Sequence, residues 1–414
     1  MYNDCHILAP RQRRSTVMSS SLRHIRGFAW MLAALVALGP LAIDAYLPAI
    51  PLMAEDLNTS LHNIELTLSL FLIGFAAGQL IGGPTSDRYG RRLTILIGLS
   101  LFMAGSLITA LGSHIELLWV GRLLQAFGGG MGVVNTMAMV RDRYSGRESA
   151  QVLSKIVTIL MIAPLAAPFI GSFLLLFADW RSIFFFLFLY AAILLVVLRL
   201  ALPETRLAEH VSVISPLRRY LAVLKNRQAL AFLFSVAMSN AGMFAFITGS
   251  PGVYMGYYGV SEFIYPFLFG ANILALSLSN QINIRLLHRF STTQILRVGQ
   301  SIQLILGISM IITTLLLQLP LGFLVAQIML FIGMQGFIVA NGMSGATDYF
   351  PHSAATATAL ISASGFTLGA LSGALVGLLG DGTPYAMVAV MAACPLIGIV
   401  LREWLQRPVT VVQK

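Results

Sequence analysis

The chain has 414 residues, of which only 10% are charged, while 57% are apolar with Tyr counted and the net charge is +10. Soluble globular proteins carry roughly 25% charge, so so few charges cannot cover the two or three soluble domains that this length would otherwise hold. That excludes a disordered chain, a charge-built nucleic-acid binder and an ordinary soluble enzyme, and leaves a polytopic membrane protein. The two cysteines, Cys5 and Cys394, stand far apart and indicate neither a disulfide framework nor a metal site.

In chain order, a polar and basic stretch, 1–27, comes first. It imitates the basic region of a signal peptide, but the next apolar run is long, contains Asp44 and ends in Tyr46-Leu47-Pro48, not in a small-residue cleavage site, so it is expected to be retained as a helix. Twelve apolar runs of spanning length follow, near 28–48, 64–84, 93–112, 116–139, 152–177, 182–201, 229–249, 262–284, 298–317, 321–344, 355–379 and 384–404. Each is apolar all round, which predicts helices, because barrel strands would alternate at every second residue. Most connections are short. The exception, 202–228, reads as a cytoplasmic linker between two six-helix bundles, 28–201 and 229–404, with 405–414 as a C-terminal tail. The fold class expected is therefore all-α, with twelve transmembrane helices in two pseudo-symmetric bundles.

Lys and Arg orient the chain. Of the 26, 24 fall in the N-terminal stretch, the even-numbered connections or the C-terminal end; Arg181 lies opposite and Arg122 lies inside the fourth run. Both termini are accordingly expected in the cytoplasm. A weak repeat supports the two halves: Asn135, Met137, Asp142 and Gly171 recur 206 residues later as Asn341, Met343, Asp348 and Gly377. Halves repeated in parallel place a substrate site at their interface, near mid-membrane.

Asp44 is the acid set well inside a run, with Glu65 and Glu262 at helix mouths, and Arg122 is the base set well inside one. An intramembrane carboxyl is costly and marks function, and burial and nearby cations tune its proton affinity. Counted from the helix ends at 1.5 Å per residue, Asp44 and Arg122 lie at similar depth, roughly 6–10 Å below the outer surface. They are the candidate proton-coupling pair, with a static buried ion pair, or an Asp44 that simply opens to the outer water, as the competing reading. Pro164 and Pro168, one turn apart, remove two backbone donors and are expected to bend or loosen the fifth helix. Gly365, Gly369, Gly373 and Gly377 form a four-residue ladder that suits close packing. Tyr46, Gln125, Asn135, Asn240, Asn272 and Asn341 are candidate cavity residues, against the alternative of hydrogen bonds between helices. Tyr46, Tyr254, Tyr257, Tyr258 and Trp180 suit an interfacial belt.

The segment Gly82-Gly83-Pro84-Thr85-Ser86-Asp87-Arg88-Tyr89-Gly90-Arg91-Arg92 resembles the signature loop of the major facilitator superfamily, matching at Gly83, Asp87, Arg88, Gly90, Arg91 and Arg92 and departing at Thr85 and Ser86. Arg122-Leu123-Leu124-Gln125-Ala126 looks like that superfamily's Arg-x-x-Gln-Gly motif, with Ala126 in place of Gly. Ala163-Pro164-Leu165-Ala166-Ala167-Pro168-Phe169-Ile170-Gly171 is similar to the fifth-helix antiporter motif in the form seen in the Bcr/CflA drug-resistance subfamily. Asn240-Ala241-Gly242-Met243-Phe244 and Phe350-Pro351-His352 resemble it too. The resemblance implies proton-driven export of small antibiotics, such as bicyclomycin, chloramphenicol or sulfonamides, across the bacterial inner membrane. The expected partners are the drug, protons and lipid, with no nucleic acid, no cofactor and no metal, and the protein working as a monomer. A proton-coupled uptake symporter is the nearest alternative. A membrane scaffold or enzyme is more distant, since neither a Gly-x-x-x-x-Gly-Lys-Ser/Thr loop nor a His-Glu-x-x-His pair occurs.

Overall fold

A computed structural model describes residues 11–206, 216–317, 320–350 and 354–407. Cys5, the middle of the linker, Pro351-His352 and the end of the C-terminal tail lie outside the described residues.

Among the described residues, twelve helices are long and apolar enough to span a membrane: α1 (Gly27–Asp56), α2 (Leu61–Tyr89), α3 (Arg91–Leu111), α4 (Ile115–Arg143), α5 (Gly146–Leu175), α6 (Arg181–Ala201), α7 (Arg227–Tyr257), α8 (Tyr265–Leu286), α9 (Thr292–Leu315), α10 (Leu321–Thr347), α11 (Thr356–Leu379) and α12 (Tyr385–Gln406). The described residues contain no strand, as a bilayer that cannot hydrogen-bond open backbone requires. The helix of α1 starts further back than the apolar run, at Arg11, and breaks after Asp44 into a turn, Leu47–Ala49, before resuming over Ile50–Asp56. Across 202–228, a short basic helix, Pro216–Lys225, precedes α7.

The packing is repeated. α2 lies on α4, α3 on α4 and on α6, and α1 on α5; equivalently, α8 lies on α10, α9 on α10 and on α12, and α7 on α11. The two sets meet where α2 packs on α11 and α5 on α8. The local chemistry repeats as well. Asn135 donates its Nδ2 to the carbonyl of Met131 at 2.7 Å, and Asn341 makes the same bond one turn back to Phe337 at 2.8 Å. The α11 glycines divide by depth: Gly365 and Gly369 abut Asn240 and Phe244 of α7, whereas Gly373 and Gly377 also touch Ser69 and His62 of α2.

Two expectations are corrected. Gly83 and Asp87 are not in a loop: α2 continues through Pro84 to Tyr89, and the reversal falls on Gly90 alone, whose φ of +103° lies in the region open to glycine. Trp180, Tyr46 and Tyr254 are 2%, 0% and 0% exposed, so they are core residues and not belt residues. Trp180 donates to Asp56, and Arg181 pairs with Asp56 at 2.8 Å, fastening the start of α6 to the end of α1. α5 runs unbroken past both prolines.

Candidate substrate cavity and coupling site

A cavity of about 720 Å³ lies between the two sets of helices. Its mouth, at the Arg-rich end, carries Asp87, Arg91, Arg141, Asp142 and Tyr220, and its wall includes Asp44 of α1 and Pro164 of α5. Phe75, Met243, Phe244, Ile247, Phe269 and Phe366 give it an apolar surface, interrupted by Gln79, Asn135 and Thr136. That volume and mixture suit a drug-sized molecule oriented by a few polar groups.

Asp44 is 4% exposed and sits where the first helix breaks. Among the described residues its Oδ1 is buried with no hydrogen-bond partner, and no ion pair reaches it. The next peptide explains Gly171: a Cβ there would run into the carbonyl oxygen of Ala45. Gly171 therefore lets α5 lie directly on the backbone beside Asp44.

Arg122 does not pair with Asp44. Its guanidinium lies 4.4 Å from the ring centres of both Tyr46 and Phe71, with Phe184 at 5.7 Å. Such contacts are worth about 2 kcal/mol when desolvated. Arg122 also donates to Gln125 Oε1 at 2.7 Å, and Gln125 Nε2 donates to Ser106 Oγ at 2.8 Å. Tyr46 Oη shares a hydrogen bond of 3.2 Å with Thr67. Arg122, Tyr46 and Gln125 thus form a fully buried block behind Asp44. Of the six candidate cavity residues, Asn135 reaches the wall. Asn272 bonds back to its own helix, Asn341 also donates to Asn283, and Asn240 packs on Gly365.

The signature segment is tied to α4, to α6 and to the linker. Arg91 pairs with Asp87 at 2.7 Å and with Asp142 at 3.1 Å, and donates to Ser86 at 2.6 Å. Arg92 donates to the carbonyl of Arg199, and Arg206 donates to that of Arg88 at 2.7 Å. At the start of α3, Glu204 from the linker accepts from the backbone N–H groups of Arg91 and Arg92 at 2.9 and 3.1 Å. Partial burial alone would raise the Glu204 carboxyl, but the N–H groups of Arg206, Arg91, Arg92 and Thr205 hold it below the usual carboxylate range. Gly90 is needed twice over, since a Cβ would lie 2.6 Å from Glu204 Oε2.

Glu65 was read as lying at a helix mouth. It is 7% exposed and faces the other half across a small second cavity of about 230 Å³ at the opposite end. Sequence spacing placed it near an end but gave no sign of what lay across from it.

A family model described as Major Facilitator Superfamily matches residues 32–374. The chain is 31% identical over 379 residues to a bicyclomycin resistance protein homolog of Haemophilus influenzae, covering 90% of this chain and 94% of that one. It is 32% identical over 357 residues to a chloramphenicol resistance protein of Pseudomonas aeruginosa, covering 85% and 84%. Among solved structures, a D-xylose-proton symporter superposes with a TM-score of 0.72 at 14% identity, covering 93% of this chain and 97% of the symporter, which speaks to the fold. With twelve spans, a repeated packing plan, a central cavity and these relatives, the chain is a multi-pass transporter of the major facilitator superfamily and belongs to its Bcr/CflA drug-resistance subfamily.

Proposed function

We propose that the protein is a proton-driven efflux antiporter of the bacterial inner membrane, exporting small antibiotics of the bicyclomycin, chloramphenicol or sulfonamide kind. Its units are the bundles 28–201 and 229–404, joined by the cytoplasmic linker 202–228, with both termini cytoplasmic and the monomer as the working form. The observation that carries the reading is Asp44: an unpaired, buried carboxyl in the wall of a largely apolar cavity whose mouth lies at the Arg-rich end. The positive-inside rule makes that end cytoplasmic. The names of the relatives supply the drug classes.

In this reading, drug enters the cavity from the cytoplasm and competes with a proton for Asp44. The two bundles then rock about the site, and a proton taken from outside displaces the drug. One proton moving through 100 mV releases about 2.3 kcal/mol, enough to concentrate a neutral drug about fifty-fold. Arg122 holds Tyr46 and the break after Asp44 in place, and does so as a stacked cation, without forming an ion pair with Asp44. Pro164 and Gly171 set α5 against that break.

Inverted membrane vesicles loaded with a pH-sensitive dye provide the test. Adding drug should release protons, and Asp44→Asn should abolish that release and pH-driven drug accumulation while the protein still folds. Asp44→Glu should keep part of the activity with an altered pH optimum. If Asp44→Asn still accumulates drug and still moves protons, the coupling role is lost.

A further inference from the structure

The second cavity is built around one acid. Glu65 lies on α2, just past the Ser60 cap, and both of its carboxyl oxygens point across the boundary between the halves. A Cβ added to Gly252 of α7 would lie 3.1 Å from Oε1, and one added to Gly377 of α11 would run into His62 Nδ1 and lie 3.6 Å from Oε2. The carboxyl is therefore seated in a seam where the opposing half presents bare backbone. Among the described residues it has neither an ion pair nor a hydrogen bond.

Its surroundings supply little compensation. On its own helix, His62 has a buried Nδ1 with no partner. From α1 comes Tyr46, with Arg122 of α4 stacked behind it. α7 lines the cavity with Gly249, Gly252 and Val253, and α11 has no titratable side chain along its length. In the turn before α12, Asp381 is occupied with the backbone N–H and hydroxyl of Thr383. The cavity leads to Ser60 and Gly382, both exposed at the end opposite the arginines. Enclosing a carboxylate without a counter-ion is strongly unfavourable, whereas a neutral acid incurs no such penalty.

We propose that Glu65 is a second proton site, separate from Asp44 and exchanging with water on the outer side, and that the outer seam closes over its protonated form. Release of its proton accompanies opening, so the acid links the outward-open state to the external proton concentration. The proposal rests on the antiporter reading for its role in the cycle, but its chemistry requires no drug.

The test is the accessibility of Ser69, which is 3% exposed and lies against Gly373 in the same seam. Ser69→Cys is introduced in a chain carrying Cys5→Ser and Cys394→Ala, and is labelled in intact cells with a membrane-impermeant maleimide. Its rate is divided by that of Ser261→Cys, an exposed position outside the seam, to remove intrinsic thiol reactivity. Raising external pH from about 5.5 to 8 should raise the ratio at least tenfold. Glu65→Gln should hold it at the low-pH value, and Glu65→Asp should restore a pH dependence. A flat ratio in the Glu65-containing chain overturns the proposal, as does an unchanged pH dependence in Glu65→Gln. The readings separate cleanly. If drug moves no protons while Ser69 still titrates through Glu65, the antiporter reading fails and the site stands; if Asp44→Asn alone flattens the ratio, the site fails and the antiporter reading stands.

Discussion

Replacing Glu204 with Ala should loosen the first turn of α3. The carboxylate accepts from two successive N–H groups there, those of Arg91 and Arg92, at 2.9 and 3.1 Å. These are among the donors that a helix start leaves without intrahelical partners. Loss of a capping acceptor costs about 1 kcal/mol, and loss of a negative charge at the positive end of the helix adds ~0.3–1 kcal/mol. The sum, about 1.3 to 2 kcal/mol, corresponds to amide exchange faster by roughly ten- to thirty-fold in a peptide covering 90–96, read by hydrogen–deuterium exchange at neutral pH. Glu204→Gln, which keeps one acceptor oxygen, should lose less. The pH dependence has a fixed sign. Because the folded carboxyl titrates below its unfolded value, the protection is complete above the ordinary Glu range near 4.3 and is lost as pH falls through the lower, folded value. The equivalent start of α9 is a control: Ser291 accepts from Gln294 N–H at 3.3 Å, and the Gln294 side chain accepts from Ser291 N–H at 3.0 Å, a self-contained capping box. Glu204→Ala should leave α9 untouched, and Ser291→Ala should loosen α9 alone. Exchange in 90–96 unchanged within twofold in Glu204→Ala would refute the capping argument.

Three further outcomes are expected. Asp87→Asn removes a half-exposed i,i+4 ion pair worth about 0.3–0.5 kcal/mol, so expression should hold while drug transport falls; normal transport by well-folded protein would reduce the segment to a topology signal. Gly171→Val drives a side chain into the Ala45 carbonyl, which should cost about 1–3 kcal/mol, lower the thermal midpoint in detergent and depress transport through the displaced Asp44. Gly171→Ala should do both more mildly, and wild-type behaviour in both variants would contradict the contact. Reporter fusions at 202–228 and after Arg402 should read cytoplasmic and fusions near Asn58 or Gly256 external, and one opposite result in the linker would break the orientation.

The spans were readable from the sequence because a bilayer imposes a length and a composition on every helix, and both are local properties. The repeat was readable for a similar reason: Asn135 and Asn341 bond to their own helices, so the two halves kept the same residue for the same short-range purpose. Partners distant in sequence were not readable. Arg122 and Asp44 share a depth in a count of residues, yet depth says nothing about rotation around the helix axis, and the guanidinium faces Tyr46 and Phe71. Glu204 stands 113 positions from Arg91, and in sequence it was one acid within a polar linker. Glu65 was correctly placed near a helix end, but its burial comes from α7 and α11, which no pattern within α2 reports. The asparagines were given two fates, cavity or helix contact, because an amide suits either, and packing divided them.

The seam closed by Gly252, Gly373 and Gly377 has a thermodynamic consequence for the proposed cycle, in which it opens repeatedly. Glycine has no side-chain rotamers to surrender, whereas each long side chain immobilised at a closing interface would forfeit as much as about 1.5–2 kcal/mol of rotational freedom. A gate that meets α2 with bare backbone therefore closes with little ordering penalty on that side and releases little on reopening. In the proposed antiporter cycle the open and closed forms can then stay close in free energy, so that the small work of one ion crossing the bilayer suffices to choose between them.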